Sequence, residues 1–353
     1  MKIKTIFFSV AVLFASISVT AQTKNVDIDN LRYKVEYTNT PEIPLNPVLF
    51  TYFTQVIATK PTENRASMDE VNSIINIAGQ RRTDDIENSF VNVLVELGDL
   101  IIEKSDIAER KEESKDRNGK ITSVKYYYKI NINYRFSGAY KIFQQNKLLY
   151  SVSVYDHSLQ TYSSSEFASR KDASEYWKNN RDVLISQFII TLSKQVAYSA
   201  SSYASRKYGF PVIRTTDVIK SMDEKKHLEN EKFREICNNL KSEFESMTSE
   251  QGVSKENLIP IIDYFKSLPD KYTDTKRKAD IKIRYAAYYN LCKIYYYLDE
   301  PGNIYQYADL LIQNEYDYKD GEKLKKEANE LKSILSRTEF HTRHFNPYAY
   351  LDE

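Results

Sequence analysis

The spacing of apolar residues changes along this chain, and that change constrains the fold more than any other feature. Between about residues 25 and 155, apolar side chains alternate with polar ones, whereas after Asp172 they recur every three or four residues. Alternation buries one face of a β-strand, and the longer spacing buries one face of a helix. The sequence therefore predicts an α+β protein in which a strand-rich part is followed by a helical part.

The strand-rich part consists of several alternating segments. The clearest runs from Val124 to Phe136, where every even-numbered residue is apolar. Because only one side of such a strand is apolar, we expect an antiparallel sheet with one buried and one solvated face. The predicted strands lie at residues 31–37, 50–56, 91–97, 124–136, 140–143 and 148–154.

A charged run at residues 109–120 separates two of these strands and contains Asn118-Gly119 near its end. Asn-Gly favours a tight turn between strands, and dense charge is typical of a solvated segment. The sequence predicts a long solvated hairpin loop here. A charged docking finger is the functional alternative.

A long helix is predicted after the strands. Asp172 followed by Glu175 is typical of a helix start, and the helical spacing continues until Gly209. Its apolar stripe is expected to cover the buried face of the sheet and to complete an α+β domain over residues 22–212. A helix lying on a membrane is disfavoured, because its polar face carries Ser and Gln more than Lys or Arg.

The remainder of the chain has helical spacing throughout. We expect antiparallel helical hairpins with short loops over residues 223–337, and a C-terminal tail at 338–353. The breaks between helices are predicted at Gly252, Pro269, Pro301-Gly302 and Gly321.

Part of this helical half resembles a tetratricopeptide repeat. Leu291 and Tyr295 match the first helix of that repeat, and Ala308 and Leu311 stand near the packing positions of the second. Cys292 replaces the usual glycine. The resemblance implies stacked helical hairpins whose concave surface binds a peptide or a protein.

The N-terminus carries the features of a secretory signal. Lys2 and Lys4 precede an apolar stretch at 6–19, and Val19-Thr20-Ala21 is a small-residue cleavage site. The stretch is shorter than the roughly 20 residues of a membrane-spanning helix, and Gln22 rather than cysteine follows the site. In its signal peptide (1–21) and layout the chain resembles exported envelope proteins of Gram-negative-type bacteria, which places the mature protein in the periplasm or outer envelope, without an integral membrane span.

Charge and cysteine content limit the classes of partner. Lys plus Arg number 50 and Asp plus Glu 49, so the chain has no basic excess for a nucleic acid. Cys237 and Cys292 are the two cysteines. They either form one disulfide in an oxidising compartment or remain two buried thiols.

The sequence contains no common catalytic motif. It has no glycine-rich phosphate loop, no GxSxG and no HExxH. His157 stands between Asp156 and Ser158, but consecutive strand residues face opposite ways. His341 and His344 are expected to be solvated tail residues rather than metal ligands. No catalytic residue, cofactor or metal is therefore assigned.

These observations favour a non-catalytic envelope protein that binds another envelope protein or a peptide, with an envelope hydrolase acting on glycan or peptidoglycan as the alternative. The candidate partner-binding residues are Tyr285, Tyr289 and Tyr296, which form an aromatic line beside the core stripe of one helix. The alternative is that a neighbouring hairpin covers this line.

The signal peptide leads to the first prediction. Expression in a Gram-negative host should yield a mature chain that begins at Gln22 and is recovered without detergent, because the apolar stretch is removed on export. Intact-mass analysis measures this directly. A chain that retains Met1 and is extracted only by detergent would contradict it.

Overall fold

The computed structural model describes residues 26–43, 50–144, 146–223, 225–337 and 341–350. The predicted signal peptide (1–21) and the cleavage site at Ala21-Gln22 lie outside these residues. The chain divides into two compact units. Within the described ranges, the helical unit comprises residues 26–35, 215–246 and 253–330, and the sheet unit comprises residues 36–214, 247–252 and 331–350.

The α+β fold class is confirmed, with strands first, one long helix, and several helices after it. Both units are discontinuous in sequence, whereas the predicted domains 22–212 and 223–337 are continuous. Independent folding of those two ranges stays a prediction.

The described elements are β1 (Ile28–Thr38), β2 (Thr51–Ala58), α1 (Lys60–Glu63), α2 (Met68–Ile74), β3 (Arg81–Arg82), β4 (Val91–Leu97), β5 (Ile101–Lys115), β6 (Ile121–Arg135), β7 (Ser137–Gln144), β8 (Lys147–Asp156), β9 (Gln160–Ser163), α3 (Arg170–Tyr208), β10 (Val212–Met222), α4 (Asn230–Glu245), α5 (Lys255–Lys271), α6 (Lys278–Tyr297), α7 (Pro301–Gln313), α8 (Tyr318–Ser336) and a 3₁₀ turn (Pro347–Tyr350).

The sheet unit is built on a five-stranded sheet of order β3-β2-β4-β7-β8. Strands β4, β7 and β8 are antiparallel as predicted, but β2 pairs in parallel with both β3 and β4. The expectation of a wholly antiparallel sheet is thus corrected. The helices α1 and α2 lie between β2 and β4 in the chain, and they supply the crossover that a parallel pair requires.

Helix α3 covers one face of this sheet, as the sequence predicts. The sheet presents a buried row that includes Val93 and Val95, and α3 meets it with Val196 and small residues such as Ala197 and Ala200. Small side chains allow close approach, and apolar burial of this kind is the main stabilising term in folding. Helix α3 begins at Arg170, about one turn before the helix start that Asp172 and Glu175 predict. The hydroxyl of Ser169 accepts the backbone N–H of Asp172 (3.0 Å) and caps it.

A second sheet, of order β5-β6-β9, packs on the first half of α3 through Ile130, Ile132 and Trp177. The predicted loop at 109–120 is wrong, because residues 109–115 continue β5 and only 116–120 form the turn. Charged residues occupy both faces of this exposed ribbon, so no apolar period marked the strand. In the turn, the carboxylate of Asp116 accepts the N–H groups of Asn118 (2.9 Å) and Lys120 (3.0 Å), and Gly119 has a φ of 80°.

In the helical unit, α6 packs against α5 and α7. The finer tetratricopeptide likeness stays a prediction. Two of the predicted breaks are misplaced. Pro269 lies in the last turn of α5, which ends at Lys271, and Gly321 lies inside α8. A Cβ at Gly321 would come within 2.9 Å of the carbonyl oxygen of Ala308, so this glycine permits close packing of α8 on α7.

The residues of β1 up to Val35 belong to the helical unit, although the sequence assigns them to the β-rich domain. The ring of Tyr33 contacts those of Phe244 and Tyr297, at centroid distances of 4.8 and 6.0 Å. Strand β1 pairs with β10. On β10, the backbone N–H and C=O of Lys220 bond the side-chain amide of Asn290 on α6, at 2.7 and 2.8 Å.

The described part of the predicted tail is folded onto the sheet unit. Phe345 joins the core with its ring 5.6 Å from that of Phe210. His341 is exposed as expected, but His344 is buried, with Nδ1 2.7 Å from the carbonyl oxygen of Thr248. The expectation of two solvated histidines is therefore wrong for His344, because the adjacent Phe345 packs in the core and His344 is buried beside it.

A buried carboxylate joins α4 to α5 at Glu229. It accepts hydrogen bonds from Lys271 and from the phenols of Tyr264 (3.0 Å) and Tyr272 (3.1 Å). Burial acts to raise its pKa, but these bonds hold the pKa below the ordinary value. Next to it, Nδ1 of His227 accepts the backbone N–H of Glu229 (3.2 Å). Burial lowers the pKa of His227, which thus resists protonation.

We expect His227 to make the helical unit less stable in mild acid. Its pKa is lower in the folded state than the value of about 6.5 in an unfolded chain, so the unfolded state binds more protons as the pH falls through that range. The stabilisation is complete above about pH 6.5 and is lost below it, at no more than about 1.4 kcal/mol per pH unit. Urea unfolding between pH 7.5 and 5.5 measures the slope. His227→Asn, which retains an acceptor, should flatten it, and His341→Asn at an exposed position should not. Equal slopes in all three proteins would refute this.

Candidate functional site

The face of the five-stranded sheet opposite α3 is the candidate site, and we call it the outer sheet face. Successive strand residues point to opposite sides of the sheet, so the residues that alternate with the buried ones point outward on this face. Cross-strand registers place Asn92 beside Phe143, Leu94 beside Lys141 and Glu96 beside Ala139. The face consists of Phe53, Gln55 and Ile57 on β2; Asn92, Leu94 and Glu96 on β4; Ala139, Lys141 and Phe143 on β7; and Leu148, Ser151 and Ser153 on β8.

This face is more apolar than a solvated sheet face normally is. Ile57 is 44% exposed and Leu148 is 51% exposed, while Phe53, Leu94 and Phe143 are half-buried. Antiparallel sheets with one wet side usually alternate apolar and polar residues strictly. Contiguous exposed apolar surface of this kind marks binding sites.

The outer sheet face contains two depressions. The smaller, of about 240 Å³, lies between the rings of Phe53 and Phe143 over Asn92 and Leu94, with Ile86 at its rim. Asn92 is almost wholly buried and accepts a hydrogen bond from the hydroxyl of Ser89. Aromatic walls with a few amide groups are typical of sites that hold an apolar group in a fixed orientation.

The larger depression, of about 480 Å³, lies at the end of the sheet where β2, β4 and β8 end and β7 begins, and it includes Ile57, Glu96, Ala139 and Ser153 of the outer sheet face. Small side chains make room for it, and Ile57 and Tyr155 form part of its wall. Gly98 is one of these small residues because of a close approach: a Cβ there would lie 1.9 Å from the hydroxyl of Ser137. The small residues that line it are Ala58, Gly98, Ser137, Gly138, Ala139 and Ser153.

An ion pair separates the two depressions. The ammonium of Lys141 lies 2.8 Å from a carboxylate oxygen of Glu96 on the neighbouring strand, and each side chain is about one-third exposed. Partly exposed pairs contribute little to stability. Both groups can therefore exchange partners with a ligand at small cost.

The three tyrosines predicted from the sequence lie on α6 in the helical unit. Tyr285 and Tyr289 are 3% and 6% exposed, and Tyr296 is half-buried. The hydroxyl of Tyr285 donates to Asp320 of α8 (2.6 Å), and the ammonium of Lys220 lies 4.6 Å from the ring centroid of Tyr289. Elements β10 and α8 cover the rings of Tyr285 and Tyr289, as the alternative expectation describes, and a binding role for these two residues stays a prediction. A binding role for Tyr296 stays a prediction.

Beside Tyr289 lies a buried cation that the sequence analysis did not identify. The ammonium of Lys293 is 3.1 Å from Asp217 on β10 and 3.1 Å from Glu327 on α8. Burial acts to lower its pKa, but the two carboxylates raise it above the ordinary value, so the lysine stays charged. The only sequence signal was a lysine within an apolar helix. Its paired carboxylates indicate a structural role.

The remaining reactive groups give little support to catalysis. Cys237 and Cys292 are free and buried, and burial raises the pKa of the Cys237 thiol to about 12. Within the described residues, no cluster of three or more His, Cys, Asp and Glu side chains is placed to hold a metal. His157 lies exposed at the end of β8 with a φ of 66°.

Comparison with known proteins does not identify a family. No family model matches the chain, and no curated protein matches it. A solved minor lipoprotein from Acinetobacter baumannii is 9% identical, and the match covers 48% of this chain and 98% of that one with a TM-score of 0.18. That likeness is too low for any inference about function. No helix in the described ranges is long and apolar enough to cross a membrane.

Alternation identifies the buried row of each strand and does not by itself show that the opposite row is apolar, so the sequence analysis did not predict the outer sheet face. Its signal is present in the sequence, since Phe53, Leu94 and Phe143 occupy positions where alternation predicts polar residues.

The burial of Tyr289 gives a prediction that separates packing from partner binding. Tyr289→Ala should lower the free energy of unfolding by about 3–5 kcal/mol, because it empties a core position and removes the ring beneath Lys220. Tyr296→Ala, at a half-buried position of the same helix, should cost about 1 kcal/mol. Denaturant unfolding of both variants measures the difference. Equal, small losses would show that the ring of Tyr289 is not part of the core.

Proposed function

We propose that this chain is a non-catalytic binding protein of the cell envelope, and that its outer sheet face receives an extended, apolar segment of another envelope protein or peptide. The observation that carries the proposal is the pair of depressions on one apolar sheet face. Export to the envelope rests on the signal-peptide features of residues 1–21.

The dimensions of the face suit an extended chain. From Asn92, under the smaller depression, to Glu96, beside the larger one, β4 advances four residues, or about 13 Å. A bound extended segment advances at the same rate, so side chains about four residues apart reach both depressions. The smaller depression takes an apolar side chain between Phe53 and Phe143. The larger one accepts a bulky group over its floor of small residues.

The polar groups on the face supply orientation. Gln55 presents an exposed amide group beside the smaller depression, and this group bonds a backbone N–H or C=O of a bound segment. Lys141 lies opposite Leu94, midway along the path, and Glu96 lies at its far end, so the face offers one charge of each sign. A segment with an apolar residue at each end and a charged residue between them therefore matches the face best.

In the described ranges, no carboxyl group whose pKa is clearly displaced has the raised pKa that the hydrolase alternative requires. A glycosidase needs one carboxylic acid whose pKa is raised so that it can donate a proton. Six carboxyl groups in the described ranges have clearly displaced pKa values, and all six are lowered: Glu36, Asp156, Glu166, Asp217, Glu229 and Glu256.

A displayed library of random seven-residue peptides, selected against the chain from Gln22 to Glu353, tests this function. We expect enrichment of peptides with two bulky apolar residues about four positions apart. Fluorescence anisotropy of an enriched peptide should show at least about tenfold weaker binding to Phe143→Ala and to Leu94→Lys, which corresponds to about 1.4 kcal/mol.

Tyr198→Ala is the matched control, because Tyr198 is an apolar residue on α3 that is 61% exposed and lies away from the outer sheet face. It should bind the peptide as the unsubstituted protein does. Circular dichroism verifies that all variants are folded. Selection without enrichment, or enriched peptides that bind Phe143→Ala and Leu94→Lys unchanged, would rule out this site.

A further inference from the structure

The hairpin of β5 and β6 extends beyond the rest of its sheet. Strand β9 pairs with β6 only at residues 131–134, and an isolated bridge joins Tyr128 to Phe167. Past this point residues 109–127 form a two-stranded ribbon that we call the β-arm. In the part of the chain that the structure describes, β5 forms strand pairs with β6 alone, so its outer edge is open along its length.

The β-arm is fixed at its base. The guanidinium of Arg110 makes two hydrogen bonds to the carboxylate of Glu166, at 3.0 and 3.1 Å, and lies 4.6 Å from the ring centroid of Tyr127. The backbone groups of Tyr128 and Phe167 bond each other at 3.0 and 2.8 Å. The direction of the arm is thus set by its attachment, while every residue from Lys111 to Tyr126 is exposed.

An open strand edge is a template for pairing with another strand, and charged side chains such as those of residues 109–113 oppose that pairing unless opposite charges meet. A two-stranded ribbon is only marginally stable alone in water, and a third and fourth strand would stabilise it. We infer that the β5 edge of the β-arm pairs antiparallel with the same edge of a second copy of this chain, centred on Glu112. The result is a four-stranded sheet of order β6-β5-β5-β6 that two copies share.

The charge sequence of β5 selects this register. In a two-fold symmetric antiparallel pair each contact occurs twice, and residues on the same face stand opposite each other. With Glu112 on the axis, Lys111 faces Glu113 of the second copy and Glu109 faces Lys115, which gives four pairs of opposite charge. Within residues 109–115 only the two Glu112 side chains repel, and beyond them Lys104 faces Lys120 of the second copy.

The neighbouring registers are unfavourable. An axis at Lys111 matches Arg110 with Glu112 of the second copy, but it opposes two lysines and sets Glu109 against Glu113. An axis at Glu113 opposes two glutamates and sets Lys111 against Lys115. An axis at Arg110 gives only the two Glu109–Lys111 pairs within residues 105–115, and it brings together two guanidinium groups that Glu166 already holds. Like charges directly opposite each other destabilise a strand pair.

The side chains in the favoured register would exchange existing surface bonds for these contacts. Lys111 and Glu113 bond each other within one strand (2.6 Å), at 48% and 31% exposure and on the same face. The Glu112 carboxylate lies 3.0 Å from the guanidinium of Arg110 in its own strand. The turn at 116–120 reaches residues 104–108 of the second copy, where the β5 edge is also open. Because the contacts are exposed ion pairs, high salt should weaken the association.

Cysteine cross-linking tests the register directly. Directly opposed residues of an antiparallel pair have Cα atoms about 4.5–5.5 Å apart, within the range for a disulfide. Glu112→Cys should therefore yield a covalent dimer with oxidised glutathione, seen on a non-reducing gel. Ser114→Cys is the matched control, because the two Ser114 positions lie about 13 Å apart along the strand. Cys237 and Cys292 are buried and do not compete.

Charge reversal tests the mechanism in the protein without added cysteine. Sedimentation velocity should show a dimer. Lys111→Glu and Glu113→Lys should each weaken the dimer affinity at least tenfold, and the double variant should restore it. Glu112→Gln should strengthen the dimer. Peptide binding to the outer sheet face is a separate property and need not change. Equal cross-linking of Glu112→Cys and Ser114→Cys, or failure of the double variant to restore the dimer, would overturn the inference.

Discussion

The contact of α3 with the five-stranded sheet determines how the sheet unit is organised. Val196, Ala197 and Ala200 bring the helix close to the inner rows of β4 and β7, and the first half of the same helix packs on the second sheet through Trp177. One helix thus supplies a buried face for two sheets. Helix α3 occupies only the inner side of the five-stranded sheet, so it does not cover the outer sheet face. The same helix anchors the second sheet, from which the hairpin of β5 and β6 extends.

The helical unit depends on buried polar contacts as well as apolar ones. Lys293 joins β10 to α8 through Asp217 and Glu327, and Glu229 joins α4 to α5. Removing one partner of such a group leaves a desolvated charge, whereas the complete set costs little. This explains why tyrosines are frequent in the unit's interior: the hydroxyls of Tyr264, Tyr272 and Tyr285 supply donors to buried carboxylates, which phenylalanine could not do.

The sequence predicts the α+β class, most strands and the end of α3 at Gly209, because these follow from local periodicity and chain breakers. It does not predict the parallel pairing of β2, which depends on how a crossover packs. Nor does it reveal β5 beyond Glu109, where charges replace the apolar alternation. The candidate tyrosines show the same limit, since Tyr285 and Tyr289 lie off the main stripe of α6 and yet are covered by residues distant in the chain. The sequence does indicate the outer sheet face, because apolar residues occupy outward positions of its strands.

The side-chain amide of Asn290 occupies the edge of β10 in the way that one residue of an adjacent strand would, since it both accepts from and donates to the backbone of Lys220. This one helical residue thereby ends the β1–β10 pair on that side. It leaves no vacant backbone donor or acceptor at Lys220 to which another strand could bond. The molecule thus has a stop for sheet growth at Lys220 of β10, whereas β5 pairs with β6 alone among the described strands.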